Sequence, residues 1–151
     1  AFLQLVRGRR LRLQRTEPNI GALATALADP VNPVTAQYHL AFVASDTFYE
    51  HTHRYPGQRH DWQADVDPLL SHAQTYCARI GLDLSDSDRV RLQHACYELT
   101  RGAHSDTPST AAYLGGVAAQ EVIKILTVQY IPLDNTCVYD GIVQAVSSFR
   151  L

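Results

Sequence analysis

The sequence predicts a mainly α-helical fold with a small β element at its end, an α+β arrangement with a helical region over residues 1–105 and a closing helix with strands over 106–151. Three observations predict it. Apolar residues recur at helical spacing between Asn19 and Arg101, a long and nearly uninterrupted apolar run follows Thr107-Pro108, and after Gln129 the pattern alternates between turn residues. The chain has 151 residues, 46% of them hydrophobic and 19% charged, with a formal net charge of −2. A domain of that size buries about 70% of its unfolded surface, so it needs no disulfide or metal staples. Disordered and collagen-like classes are thereby excluded, and no apolar run approaches the length of a membrane span.

The elements follow in order. Phe2, Leu5, Val6 and Leu13 lie near helical spacing among arginines, although Leu11-Arg12-Leu13 alternates like a strand, and Pro18 closes this first segment. Ile20, Leu23, Ala24 and Leu27 stand at i, i+3, i+4 and i+7 behind Asn19, whose side chain suits an N-cap. Pro30 and Pro33 then break the helix. A longer helix follows, with Val34, Tyr38, Ala41, Phe42, Ser45, Phe48 and Tyr49 on the face expected to enter the core, ahead of Pro56-Gly57. Leu69, Leu70, Ala73, Tyr76, Cys77 and Ile80 mark another, which must start near Asp67 to tolerate Pro68 and stops at Gly81. Ser85 with Asp88 resembles a capping box, and Leu92, Cys96 and Leu99 lead to Gly102.

The last third reads differently. Thr107-Pro108 suits an N-cap followed by proline at N1, and the helix after it is apolar on nearly every side, so burial is expected. Ala111, Ala112, Gly115, Gly116, Ala118 and Ala119 form a small-residue surface on which each mid-helix glycine costs about 1 kcal/mol relative to alanine. Close approach of another backbone is the usual offset. Strands are expected at Tyr130–Leu133 and Thr136–Tyr139, with a return after Asp140-Gly141. Val143, Ala145, Ser147, Phe149 and Leu151 then share one face, and Pro132 confines the first strand to an edge.

Candidate chemistry is sparse. Cys77 and Cys96 fall on apolar helical faces and Cys137 within a strand, so structural burial outweighs a nucleophilic role, and their odd number suits a reducing compartment, cytosol or nucleus. His51, His53, His60 and Asp61 lack a convergent metal-ligand spacing, and His72, His94 and His104 stand isolated. Asp86 and Asp88 suit a helix start rather than paired acid–base work. Arg7, Arg9, Arg10, Arg12 and Arg15 precede the first acid, Glu17, and suit a solvated or partner-facing stripe. An independent helical module whose arginines bind nucleic acid or an acidic partner is the alternative, with the stacking aromatics of a nucleic-acid surface largely missing. The chain contains no Met and no signal-peptide pattern at Ala1-Phe2-Leu3, so it is expected to be a piece of a longer protein.

The run A-Y-L-G-G-V-A-A-Q-E-V-I-K-I-L-T at 112–127, V-Y-D-G at 138–141 and F-R-L at 149–151 together resemble the carboxy-terminal end of the ubiquitin-activating-enzyme superfamily, which includes the bacterial sulfur-carrier adenylating enzymes. Ala1-Phe2-Leu3 with Val6-Arg7, Arg54-Tyr55-Pro56-Gly57, Ile80-Gly81-Leu82 and Asn135-Thr136 are similar to segments of its neddylation activating enzymes, in their regulatory, non-catalytic subunit. Residues 8–35 and 102–107 depart from that pattern. The resemblance implies the last part of an inactive adenylation-like (ThiF/MoeB-like) α/β domain. It further implies a heterodimer with a catalytic subunit, which holds ATP and magnesium, carries the thioester cysteine and takes the ubiquitin-like modifier; an equivalent subunit for another modifier is the nearest variant. No catalytic, cofactor-binding or metal residue is then expected in this chain. Tyr113, Leu114, Gly115, Gly116, Gln120, Glu121 and Lys124 are the candidate packing or partner interface, with an ordinary Glu121–Lys124 pairing as the simpler reading of those two.

Overall fold

The computed structural model describes residues 11–29, 35–103, 105 and 107–151. Six helices are found among them: α1 (Leu11–Thr16), α2 (Ile20–Leu27), α3 (Thr35–Thr52), α4 (Val66–Ile80), α5 (Asp86–Arg101) and α6 (Pro108–Thr127). A 3-10 turn at Gln63–Asp65 leads into α4, and the strands β1 (Thr136–Asp140) and β2 (Ala145–Phe149) close the chain. Most of the helix ends follow from local chemistry. Asn19 caps α2 by accepting from the Ala22 N–H at 3.1 Å, and Ser85 caps α5 by accepting from the Asp88 N–H at 3.2 Å. Gly81 stops α4 in the left-handed conformation at φ 72°.

Helix α3 is the axis of the body and packs against α2, α4, α5 and both strands. Because it has neighbours around most of its circumference, it buries Ala36, Gln37, Leu40, Ala41, Val43, Ala44 and Phe48 rather than a single stripe. The expected aromatic face is thus corrected: Phe42 and Tyr49 are exposed, while Phe48 enters the core. The core joins Leu23 and Leu27 of α2 to Leu69, Ala73, Tyr76 and Cys77 of α4, Leu92, Ala95 and Cys96 of α5, and Leu151.

The sheet is one antiparallel ribbon in which Thr136 pairs with Phe149 and Asp140 with Ala145. Its turn is organised by Asp140, whose carboxylate accepts from the N–H groups of Ile142 (2.8 Å) and Val143 (3.4 Å). Ala145, Ser147 and Phe149 turn inward as the alternation predicts, but Val143 lies in the exposed turn. One expectation fails: Tyr130–Leu133 forms no strand, having no strand to pair with among the described residues besides the β1–β2 ribbon, whereas Leu11-Arg12-Leu13 joins α1 as the helical spacing of the first segment predicts. The readings on Phe2, Leu5, Val6, Arg7, Arg9 and Arg10, on Pro30 and Pro33, on Val34 and on His104 fall outside the described residues.

Candidate interaction surface

Helix α6 departs furthest from expectation: it contributes no buried residue. At 100° per residue, Thr110, Tyr113, Val117, Glu121 and Lys124 share one face, and that narrow stripe meets the rest of the chain. Tyr113 stacks on Tyr139 with ring centroids 4.5 Å apart. Thr110 lies where a side chain on Gly141 would meet it at 3.3 Å. Lys124 donates to Glu121 Oε1 at 2.7 Å, and the Leu133 N–H donates to Glu121 Oε2 at 2.7 Å. These bonds, that to the Lys124 ammonium foremost, hold the Glu121 carboxyl below the usual carboxylate range.

The opposite face is bare. Ala112, Gly115, Ala119, Val122 and Leu126 run along its middle, flanked by Gly116, Ala118 and Ile123, and no charged residue interrupts them. Nothing lies within 4 Å of a side chain built on Gly115 or Gly116. Val122 is 54% and Leu126 77% exposed. The apolar surface continues past Val128, held left-handed at φ 55°, into exposed Tyr130 and Ile131. The expected burial of this helix is therefore corrected: none of its residues is buried, and among the described residues nothing covers Gly115 or Gly116.

The residues expected at an interface divide accordingly. Tyr113, Glu121 and Lys124 make contacts inside the chain, so pairing accounts for the two charges, whereas Leu114, Gly115, Gly116 and Gln120 are open to solvent. The clamp at the other end of the ribbon has no counterpart in the sequence reading beyond Asn135-Thr136 as a landmark. The Asn135 amide donates to the Leu151 carbonyl at 2.8 Å and accepts from its N–H at 3.1 Å, as a neighbouring strand would, and so seats Leu151 in the core.

Arg54-Tyr55-Pro56-Gly57 builds a second knot. Arg54 pairs through both terminal nitrogens with the buried carboxylate of Asp65, each at 2.5 Å, and Asp65 also accepts from the Gly57 N–H at 2.9 Å. The guanidinium beside it holds the Asp65 carboxyl below the usual range. A cavity of about 610 Å³ opens next to this knot, lined by Phe42, Tyr55, Pro56, Leu99 and His39. Burial pulls the His39 imidazole down to about 4, and its Nε2 is enclosed rather than open to the cavity.

Burial pushes the Cys77 thiol up to about 11, the Cys96 thiol up to about 12 and Cys137 upward as well, the reverse of what a nucleophile needs. His72 is not isolated, for it stacks on His51 at 5.1 Å and sets its edge against Phe48. Asp88 is more than a cap, since it also accepts from Gln37 at 3.3 Å. Arg15 is tied to Asp46 by an ion pair. Among the described residues no helix is long and apolar enough to cross a membrane.

No protein-family model matches the chain. Known sequences do. Over 116 residues, 76% of this chain and 11% of the relative, it is 29% identical to ubiquitin-activating enzyme E1 1 of Schizosaccharomyces pombe. The chain therefore falls with the activating enzymes of ubiquitin and its relatives. Within that class it belongs with the regulatory subunits of the NEDD8-activating enzyme: it is 30% identical to the regulatory subunit of Gallus gallus over 154 residues and to that of Drosophila melanogaster over 151, each alignment taking in the whole chain. It spans only 28% of the length of either relative.

Proposed function

We propose that this chain works as part of the regulatory, non-catalytic subunit of a NEDD8-activating enzyme. In this reading the helical body is a spacer and brace, and α6 with the β1–β2 ribbon completes an inactive adenylation-like domain beside a catalytic subunit. ATP, magnesium and the thioester cysteine belong to that subunit. The observation that carries the reading is the bare face of α6 in a chain that aligns from end to end with 28% of its relatives' length. Exposed apolar surface of this kind marks an interaction site, and a glycine–alanine half followed by a Val122–Leu126 half suits a broad apolar surface approached closely at one end. The arginine-rich start supports a nucleic-acid role poorly, since Arg15 is already engaged by Asp46.

The test is co-purification of the whole regulatory subunit with its catalytic partner, comparing wild type with Gly115→Leu and Ala119→Leu. Either bulky side chain points into open space in this chain and should leave its own melting temperature within a few degrees of wild type. Both should reduce recovery of the heterodimer at least tenfold. Full recovery would remove α6 from the interior of the assembly and the proposed role with it.

A further inference from the structure

Seven prolines occur in the sequence, preceded by Glu17, Asp29, Asn32, Tyr55, Asp67, Thr107 and Ile131, so Thr107-Pro108 is its one Ser/Thr-Pro pair. It sits at the joint between the body and α6. Thr107 is exposed and its backbone is extended (φ −91°, ψ 117°), the conformation that a following proline imposes. Its hydroxyl is not engaged in capping: it makes no bond to an N–H of α6 and instead donates to Thr110 Oγ1 at 2.7 Å. Thr107 shares a hollow of about 460 Å³ with Ser109, Thr110, Glu98 and Arg101, the last residue of α5. The Arg101 guanidinium reaches Glu98 at 2.5 Å and keeps about half of its surface in solvent.

We propose that Thr107 is a modification site, the phosphoacceptor for a proline-directed protein kinase, and that Arg101 receives the phosphate. An extended threonine followed by a residue without an N–H is the form such kinases read. In the reaction Thr107 Oγ1 attacks the γ-phosphorus of kinase-bound ATP; the new O–P bond forms as the bond to the β-phosphate oxygen breaks. ADP leaves, and the hydroxyl proton passes to the kinase's base. The product places nearly two negative charges at the start of a twenty-residue helix whose first N–H groups the Thr107 side chain does not cap. Arg101 can pair with two phosphate oxygens in place of the single Glu98 oxygen it now holds. Glu98 and the turn-bound Asp140 also border the hollow and oppose the new charge, so Arg101 decides the outcome. The consequence is a brace between the end of α5 and the start of α6. The inference stands apart from the function proposed above.

The experiment treats the folded chain, checked by its helical circular dichroism, with a cyclin-dependent-type kinase and labelled ATP, and locates the label by mass spectrometry. One phosphate at Thr107 is expected, abolished by Thr107→Val and slowed at least tenfold by Pro108→Ala; neither exposed substitution threatens folding. Label that survives Thr107→Val, an unchanged rate for Pro108→Ala, or no incorporation overturns the site. Hydrogen exchange reads the second half. Phosphorylation should slow exchange at Ser109 and Thr110 severalfold in the wild type and less in Arg101→Gln; equal slowing in both overturns the role of Arg101.

Discussion

Gly57 and Gly115 are both glycines of landmark segments, and the structure sets them at opposite extremes. Gly57 has φ +83°, and a Cβ built there would stand 2.1 Å from the Thr100 carbonyl oxygen and 2.6 Å from the Ala103 Cβ. In Gly57→Ala the left-handed backbone costs about 1–2 kcal/mol and the overlap with fixed backbone about 1–3 kcal/mol more. The loss is therefore about 2–5 kcal/mol, and relief by backbone movement would pull the Gly57 N–H from Asp65. At about 2–4 °C per kcal/mol for a domain of this size, the melting temperature should fall by roughly 4–20 °C. Gly115 is helical with open space around it, so Gly115→Ala should stabilise this chain by up to about 1 kcal/mol. Urea unfolding followed by far-ultraviolet circular dichroism measures both. A Gly57→Ala loss below 1 kcal/mol would refute the close approach of the 54–57 loop to α5, and a destabilised Gly115→Ala would show that α6 is packed within the chain itself.

Two further expectations concern charge and pH. Asp65→Asn leaves the Arg54 guanidinium, 18% exposed, without a counter-charge, and a loss of about 3 kcal/mol is expected from breaking a buried pair. The folded carboxyl titrates below its unfolded value, so its stabilisation is present above about pH 4 and is lost as pH falls through the lowered folded value. Acid titration of the ellipticity should show that component in the wild type and not in Asp65→Asn; coincident curves would remove it. His39 titrates near 4 when folded because burial, then Arg15, disfavours its cation. The unfolded chain takes the proton first, so stability is full above about pH 6.5 and falls by about 3 kcal/mol as pH drops to 4. Urea midpoints at pH 7 and 4.5 should differ accordingly and converge in His39→Gln, and a His39 imidazole resonance, assigned by its loss in that variant, titrating near 6.5 would contradict the burial.

What could be read in advance was chemistry carried within a few residues. Asn19, Ser85 and Gly81 each settle a helix end because the group they satisfy lies within about one turn. The candidate interface residues were legible only as a composition. Sequence spacing placed Gly115 and Gly116 together on a small-residue surface, but the face that the helix turns to its own chain is chosen by Tyr139 and Leu133, residues beyond its end. Phe42 and Tyr49 escaped for the reverse reason: a helix surrounded by α2, α4, α5 and the ribbon buries small residues on several sides and can leave aromatics outside.

By itself the sequence determined the helix series, its caps, the antiparallel return at Asp140-Gly141 and the kinship with activating-enzyme regulatory subunits, because each resides in short patterns of propensity or identity. Only the tertiary structure decided that Gly57 must be glycine, that Asp65 gathers Arg54 and the loop, that Asn135 clamps Leu151, and that α6 stands with one face uncovered. Those outcomes depend on partners far along the chain or outside it. A local pattern shows that a surface is apolar, but what covers it is set by the shapes that meet there.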